Sequence, residues 1–436
     1  MAGKFGEGNI MRHRILLIGL KSALAIFFGF QFVISAWAGS QETVLHNFRP
    51  SPVPPRFLAG RIDGYEPFYG NLAVDASGNF YGITSEGGIF GYGTVFKVTR
   101  TGNGWTESLL YNFGHTRAEG IYPEGGLILD AAGNVYGTAK SGGDNNSGLV
   151  FELVHNSDGT WTEKVLHSFN GTDGFGPYAT LIFDAAGNIY GTTLGGGAYN
   201  YGTAFELTPT GGGNWSEKVL YSFGNGTDGQ EPLAPLVFDP AGNLYGTTAH
   251  GGAYAYGIAF ELTPSGGGTW TEKVLHSFGS SGGDGQEPFA GALVLDSSGN
   301  LYGTTQTGGA HLCENGSVGC GTVYELTPTG GGSWTEQVLY SFNNNGDGYI
   351  PTCSLLFDTA GNLYGTTYFG GLNGGGTVFK LTQANGWSEQ VLYNFGAGTD
   401  GVNPGPGLIS DGAGNLYGTT LAGGVFEGGM AFEITP

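Results

Sequence analysis

The stretch DPAGNLYGTT at residues 239–248 has near-copies at 184–193 (DAAGNIYGTT), 358–367 (DTAGNLYGTT) and 411–420 (DGAGNLYGTT), with looser ones elsewhere. The tyrosines of the phrase are Tyr81, Tyr136, Tyr190, Tyr245, Tyr302, Tyr364 and Tyr417, at intervals of 55, 54, 55, 57, 62 and 53 residues. Six residues before each stands an aspartate: Asp75, Asp130, Asp184, Asp239, Asp296, Asp358 and Asp411. Seven copies at such a period mean an array of like units, so the unit must be read before any single residue.

Residues 235–278 show one unit: PLVFD, NLYGTT, GIAFELTP and TWTEKVLHSF. These four runs are rich in Val, Phe, Tyr, Leu and Thr and are separated by Gly, Pro, Asp and Asn, the pattern of short antiparallel strands, here a to d of a meander. Glycine and proline make up about a quarter of the 436 residues, near the range of low-complexity disorder. However, 14% of the residues are aromatic, and ordering so many rings requires a core. Between a and b, Asp-x-x-Gly fits a type I turn whose aspartate accepts hydrogen bonds from turn amides. The alternative for the seven aspartates is calcium ligation.

Four strands per unit and seven units describe an all-β, seven-bladed β-propeller. Blades are expected at about 72–113, 127–169, 180–223, 235–278, 292–342, 354–395 and 407–436 plus 41–48. The seventh repeat supplies GMAFEITP as strand c and then reaches Pro436, while SQETVLHNF at 40–48 matches WTEKVLHSF at 161–169. The N-terminal strand is therefore expected to complete the last blade and close the ring, which leaves no unpaired edge.

Residues 1–38 stand apart. From Met11, an alternative initiator, to Ala38 the chain has a basic start, an apolar run and a small-x-small ending at Ala36-Trp37-Ala38, as a secretory signal has. A transmembrane anchor is the alternative, since the apolar run approaches the roughly 20 residues that a span needs. Removing residues 1–38 takes away four basic and one acidic residue, leaving 11 against 35 and a net charge of −24. Phosphate backbones are bound through clustered Lys and Arg, so nucleic acid is not an expected partner. The same charge can attract cations. The expectation is a secreted or periplasmic monomer with no membrane segment after signal removal.

The D-x-x-G-N-(L/I)-Y-G-T-T phrase, followed by Gly-Gly, G-T-(V/A)-F-E-L and W-x-E-x-V-L-(Y/H)-x-F, resembles the GloVer (Gloeobacter–Verrucomicrobia) tandem repeat of bacterial exported proteins across about residues 40–436. Its GNLYGTT part is also similar to NHL-type propeller blades. The resemblance implies an exported bacterial repeat protein, often with a C-terminal surface anchor, and supplies no catalytic residues. This sequence departs from it in showing no sorting tail after the last repeat.

Motifs for reaction chemistry are weak. The eight histidines, His13, His46, His115, His155, His167, His250, His276 and His311, have no metal-ligand spacing of the H-E-x-x-H kind, so zinc is not expected. GSSGG at 279–283 matches G-x-S-x-G but lies between blades rather than on a strand-to-helix turn. SDGTW at 157–161 is similar to a sialidase Asp-box without the box spacing. Sialidases also need an arginine triad, and the mature chain has Arg49, Arg56, Arg61, Arg100 and Arg117 only. Cys313 and Cys320 bracket CENGSVGC, inside the insertion that stretches one interval to 62, and suit a loop-pinning disulfide in an exported chain. Cys353 is expected as a buried thiol. No cofactor is indicated, with calcium the cation to consider.

In a meander the d-to-a and b-to-c loops share one face, opposite the D-x-x-G-N turns. Each d-to-a loop carries (D/E)-G-x-x-P, which places Asp63, Glu119, Asp173, Asp228, Asp284, Asp347 and Asp400 in a ring. They are read as turn caps or as cation or ligand contacts. The seam insert RPSPVPPRFLAGRI brings Arg49, Arg56 and Arg61, which either hold an anionic group such as a uronate or pair with Asp63 and Glu66. The b-to-c loops add Tyr92, Tyr199, Tyr201, Tyr254, Tyr256 and Phe426, which suit sugars or protein surfaces, or pack against neighbouring loops. The reading is a binding or scaffold module for extracellular polysaccharide or a surface protein. A propeller lyase or lactone hydrolase and a passive structural repeat protein are the alternatives, because fold does not imply function. Export should remove residues 1–38: N-terminal sequencing of the exported protein is expected to begin at Gly39, and a chain still carrying Met11 would refute it.

Overall fold

A computed structural model describes residues 40–49, 63–67, 70–102, 104–116, 118–313, 318–383 and 386–436. Each repeat forms one small antiparallel sheet, exemplified by blade four with a Val237–Phe238, b Leu244–Thr248, c Ile258–Pro264 and d Trp270–Ser277 in that order. Strand a is two residues long rather than the five suggested by PLVFD, because only Val237 and Phe238 pair with the next strand before Asp239 turns the chain. In the last blade, Gln41–Asn47 pairs antiparallel with Met430–Thr435, from Gln41 opposite Thr435 to Asn47 opposite Met430. The ring thus closes through the N-terminal strand. No helix among the described residues is long and apolar enough to cross a membrane.

The core does not lie inside blades but between them. One cluster joins Tyr190, Leu220 and Phe223 of blade three to Leu236, Leu244 and Phe260 of blade four. Another joins Leu45, Phe48 and Tyr417 of the last blade to Leu72, Phe80 and Phe96 of the first. Seven such clusters make seven interfaces, as a closed seven-membered ring requires. At the centre of each, the Phe ending strand d meets the aromatic residue of strand c in the next blade edge-on or tilted, with centroids 4.8–5.2 Å apart. Such pairs contribute about 0.5–1.5 kcal/mol each beyond the area they bury. A bulge makes this possible. In blade two Leu166 is the extra residue between pairs Val150–His167 and Phe151–Val165, so Leu166 and Phe169, three apart, are both buried.

The repeated phrase is written by this packing. The ring of Phe260 lies on Gly246 of Y-G-T-T, where an added Cβ would stand 2.6 Å from its tip. The same approach at Gly82, Gly137, Gly191, Gly303, Gly365 and Gly418 spans 2.4–2.7 Å, which no side chain fits. Asp239 caps its turn through four donors: the amides of Ala241 at 2.8 Å and Asn243 at 2.9 Å, Asn243 Nδ2 at 2.8 Å and the Tyr245 hydroxyl at 3.2 Å. The amide of Gly242 closes the type I turn on the Asp239 carbonyl at 3.1 Å. Burial opposes ionisation there, but these donors hold the carboxyl below its ordinary pKa. In every blade the tyrosine hydroxyl donates to the aspartate six residues earlier. The phrase carries shape.

Two outcomes follow from these contacts. Deleting residues 40–48 bares the edge of Met430–Thr435 and half of the cluster around Phe48, so aggregation or a clearly lower Tm is expected; an unchanged Tm would mean that the ring closes otherwise. Blade five carries Tyr324 where the others carry Phe, and its hydroxyl is buried with no hydrogen-bond partner. Tyr324→Phe should therefore stabilise the protein by about 1–3 kcal/mol, read as a shift of the denaturation midpoint at unchanged m.

Candidate functional site

The d-to-a acids cap their own loops. Asp228 accepts the Gly224 amide at 2.7 Å, Asp173 that of Asn170 at 2.9 Å and Asp347 that of Asn343 at 3.1 Å. Each also meets the Y/H position of V-L-(Y/H)-x-F on strand d. Tyr221, Tyr340 and Tyr393 donate to Asp228, Asp347 and Asp400 at 2.7, 2.8 and 3.2 Å. Where histidine replaces tyrosine, His46, His167 and His276 lie 3.5, 3.2 and 3.3 Å from Asp63, Asp173 and Asp284. The next blade then adds the glutamate of its W-x-E. Burial first, and the facing acid second, push Glu217, Glu272 and Glu336 up to about 7, facing Asp173, Asp228 and Asp284, and push Glu389 up to about 8, facing Asp347. Glu42 rises to about 7 through burial and the facing Asp400, and Glu163 to about 7 through burial, near Glu119. The expected acid ring is thus a ring of carboxyl pairs between blades.

Three of these junctions, His46–Asp63–Glu107, His167–Asp173–Glu217 and His276–Asp284–Glu336, bring three potential metal ligands within 4.8 Å of one another. Spacing along the chain hides them, because the glutamate comes from the following repeat. The Y/H alternation is the one trace they leave in the sequence.

Nearer the axis, a cavity of about 420 Å³ opens on the same face and is lined from six blades, among others by Asn71, Tyr178, Glu231, Phe289, Gln306, Ile350, Tyr368 and Pro406. About half of its lining comes from three positions framed by the repeat. The residues before the proline of (D/E)-G-x-x-P, Glu66, Tyr122, Gly176, Glu231, Glu287, Ile350 and Asn403, all have φ between 56° and 62°. For non-glycine residues, and for Ile350 above all, this is an unfavourable conformation. Two hydrogen bonds impose it: Glu231 N donates to the Tyr201 carbonyl of the preceding blade at 2.9 Å, and the Glu231 carbonyl accepts from Ala249 N at 3.0 Å. The other two positions follow the proline (Tyr178, Leu233, Phe289, Thr352) and follow G-T-T (Leu194, Gln306, Tyr368); Lys140, after G-T-A in blade two, holds the same position beside the lining. The frame is constant and these side chains are not, so the mouth is asymmetric. Lys140 sits 3.4 Å from Glu124 and 4.7 Å over the Tyr178 ring. Burial pushes Glu124 up; for Lys140 burial acts the other way, but Tyr178 and Glu124 outweigh it and raise its pKa. None of these positions stands out in the sequence, because a repeat displays its constant residues and these are its variable ones.

The remaining expected residues divide. Tyr92, Tyr201 and Tyr256 lie on Gly114, Gly224 and Gly279 after strand d, where an added Cβ would stand 2.3–2.5 Å from the ring, so they serve loop packing while still 38–42% exposed. Tyr199 and Tyr254 are exposed. The Arg49 guanidinium lies 4.0 Å from the Phe426 ring centroid. Arg56 and Arg61 lie outside the described residues. Cys313 and Cys320 form a disulfide, and Cys353 is a buried free thiol.

The carboxyl pairs link stability to pH. A glutamate raised from 4.5 to about 7 or 8 keeps, in the folded state, a proton that the unfolded chain releases near pH 4.5. Its stabilising contribution is complete below 4.5 and is lost as pH rises through about 7–8. In chelator, Tm should fall between pH 6 and 9, and Glu389→Gln should flatten that slope and raise Tm at pH 9 by about 1–3 °C. A Tm that rises over this range would overturn the pairing.

Comparison with known proteins bears on the fold. No curated protein matches the chain. Among solved structures, the polysaccharide lyase Uly1 is similar over 91% of this chain and 99% of its own, at 11% identity and a TM-score of 0.53. A suggested 6-phosphogluconolactonase from Bacteroides uniformis is similar over 80% of this chain and 88% of its own, at 14% identity and a TM-score of 0.48. The first likeness shows the propeller fold, and the second adds no argument. The model of the Gloeobacter/Verrucomicrobia repeat matches residues 38–237, 155–313 and 310–436. With that match running the length of a sevenfold ring built from one phrase, the chain belongs to the Gloeobacter/Verrucomicrobia repeat family.

Proposed function

We propose that this propeller is an exported binding module that takes extracellular carbohydrate at the channel mouth, acting as a monomer in the secreted or periplasmic space. The observation that carries the reading is the lining of the mouth: Tyr178, Phe289, Tyr368 and Phe369 around one cavity with Asn71, Glu231 and Gln306 among them. Ligand sites join apolar walls to a few placed polar groups. Aromatic faces match the C–H faces of sugar rings, and the amide and carboxylate groups match hydroxyls. Asymmetry supports it too, because seven equivalent loops cannot orient one ligand, while unlike residues at three framed positions can. A second reading rests on Tyr178, which lines the mouth, and on Lys140 and Glu124 behind it, proton donors and an acceptor that suit an enzyme acting on the same ligand class. The leader-like N-terminus supports export, and the acidic charge argues against nucleic acid as a partner.

A polysaccharide array, read for both binding and product release, tests this. Binding without products is expected, and products would favour the enzyme. Tyr368→Ala with Phe289→Ala should weaken binding about thirtyfold or more, the loss of about 2 kcal/mol that buried aromatic anchors carry, at nearly unchanged Tm. Equal affinity in parent and variant would remove the mouth as the site.

A further inference from the structure

The junctions between blades come in two chemical forms. In four of them strand d offers a tyrosine (Tyr111, Tyr221, Tyr340, Tyr393), a proton donor that a facing carboxylate can use. In the other three it offers an imidazole against two carboxyl groups. In two of these junctions the imidazole and aspartate are within long hydrogen-bond reach of each other. His167 Nε2 stands 3.2 Å and His276 Nε2 3.3 Å from the aspartate oxygen. A charge-assisted N–H···O bond is shorter, about 2.7–2.9 Å, whereas two ligands on one tetrahedral ion with bonds of about 2.0–2.1 Å stand roughly 3.3 Å apart. The third group leaves a ligand atom open: Glu217 Oε1 and Glu336 Oε1 are both shut off from solvent and without a hydrogen-bond partner, as are the Oε1 atoms of Glu42, Glu272 and Glu389 at tyrosine junctions, so the imidazole is what sets these three apart. The Asp284 side chain is 2% exposed and yet keeps an oxygen toward His276. Each imidazole is held edge-on by the Phe two residues later, with centroids 4.7–4.8 Å apart at His46–Phe48, His167–Phe169 and His276–Phe278, so its orientation is set before any ligand arrives.

We propose that these three junctions are binding sites for a divalent transition-metal ion of the zinc type, each bridging two neighbouring blades. One imidazole nitrogen with two carboxylates suits Zn²⁺ or Mn²⁺, while Ca²⁺ asks for six to eight oxygens and is disfavoured by the imidazole. Solvent supplies the remaining ligand, since the histidine side chains keep 16–20% of their exposure on the loop face. The metal would pin blade to blade where the four tyrosine junctions use hydrogen bonds.

The fold provides its own control, because tyrosine already stands at this position in four blades. Full-length mature protein, stripped with chelator, is titrated with Zn²⁺ alone by calorimetry, and separately with Co²⁺ by visible absorption and with Ca²⁺. Three equivalents of Zn²⁺ are expected, with His276→Tyr reducing them to two and His167→Tyr/His276→Tyr to one, at unchanged Tm in chelator. Co²⁺ should give a ligand-field band that falls in the same steps, and Ca²⁺ should not displace it. Absence of saturable Zn²⁺ binding, displacement by Ca²⁺, or the same number of equivalents in parent and variants would each overturn the assignment. The last result would place the ions on the acidic surface instead.

Discussion

Everything in this molecule depends on an aromatic ring laid on a glycine. The Phe of strand c in each blade, Tyr324 in the fifth, covers the glycine of the neighbouring Y-G-T-T strand and meets the Phe that ends strand d of the preceding blade. A blade alone has strands of two to nine residues and cannot bury these rings; two adjacent blades can. Since the rings belong to the interfaces, each blade is stable only within the ring, and the N-terminal strand matters because it supplies Phe48 to the seventh interface.

A second layer of contacts lies on top of this core. The d-to-a loop is stitched to the preceding blade through the amide of the residue before proline, and to the following strand through its carbonyl. The stitching forces φ positive at seven equivalent places, whatever the side chain. Backbone geometry and side-chain identity are thus separated: hydrogen bonds hold the loop, and Glu231 or Ile350 can stand at the mouth on the same scaffold. This separation lets one repeated phrase carry an asymmetric cavity.

Farther from the axis the same loops bring acids of adjacent blades together. A carboxyl pair at a half-buried junction needs a proton or a cation, and the Y/H position of strand d decides which donors are at hand. Tyrosine supplies a hydroxyl proton to Asp228, Asp347 or Asp400, and histidine supplies an N–H to Asp63, Asp173 or Asp284, or a nitrogen lone pair to a cation held beside them. One position in the repeat therefore switches the chemistry of an interface without touching its packing.

The period of the repeat, the four strands of its unit, the closure by residues 41–48 and the capping role of the sevenfold aspartate were all legible in the amino-acid order. They rest on local physics: alternating apolar runs, turn residues at fixed offsets and an end that matches a missing strand. The candidate site was legible only in part. The loop face and its acids could be read, because loops of a meander alternate between faces, but the partners could not. Glu217 reaches His167 and Asp173 from the next blade, and Glu231 shares a cavity with Asn71, Gln306 and Tyr368 from four different repeats. Contacts of this kind depend on the angle between neighbouring sheets and on closure of the ring. A single repeat contains neither, so the tertiary structure alone decided which residues face the channel and which carboxyl groups share a junction.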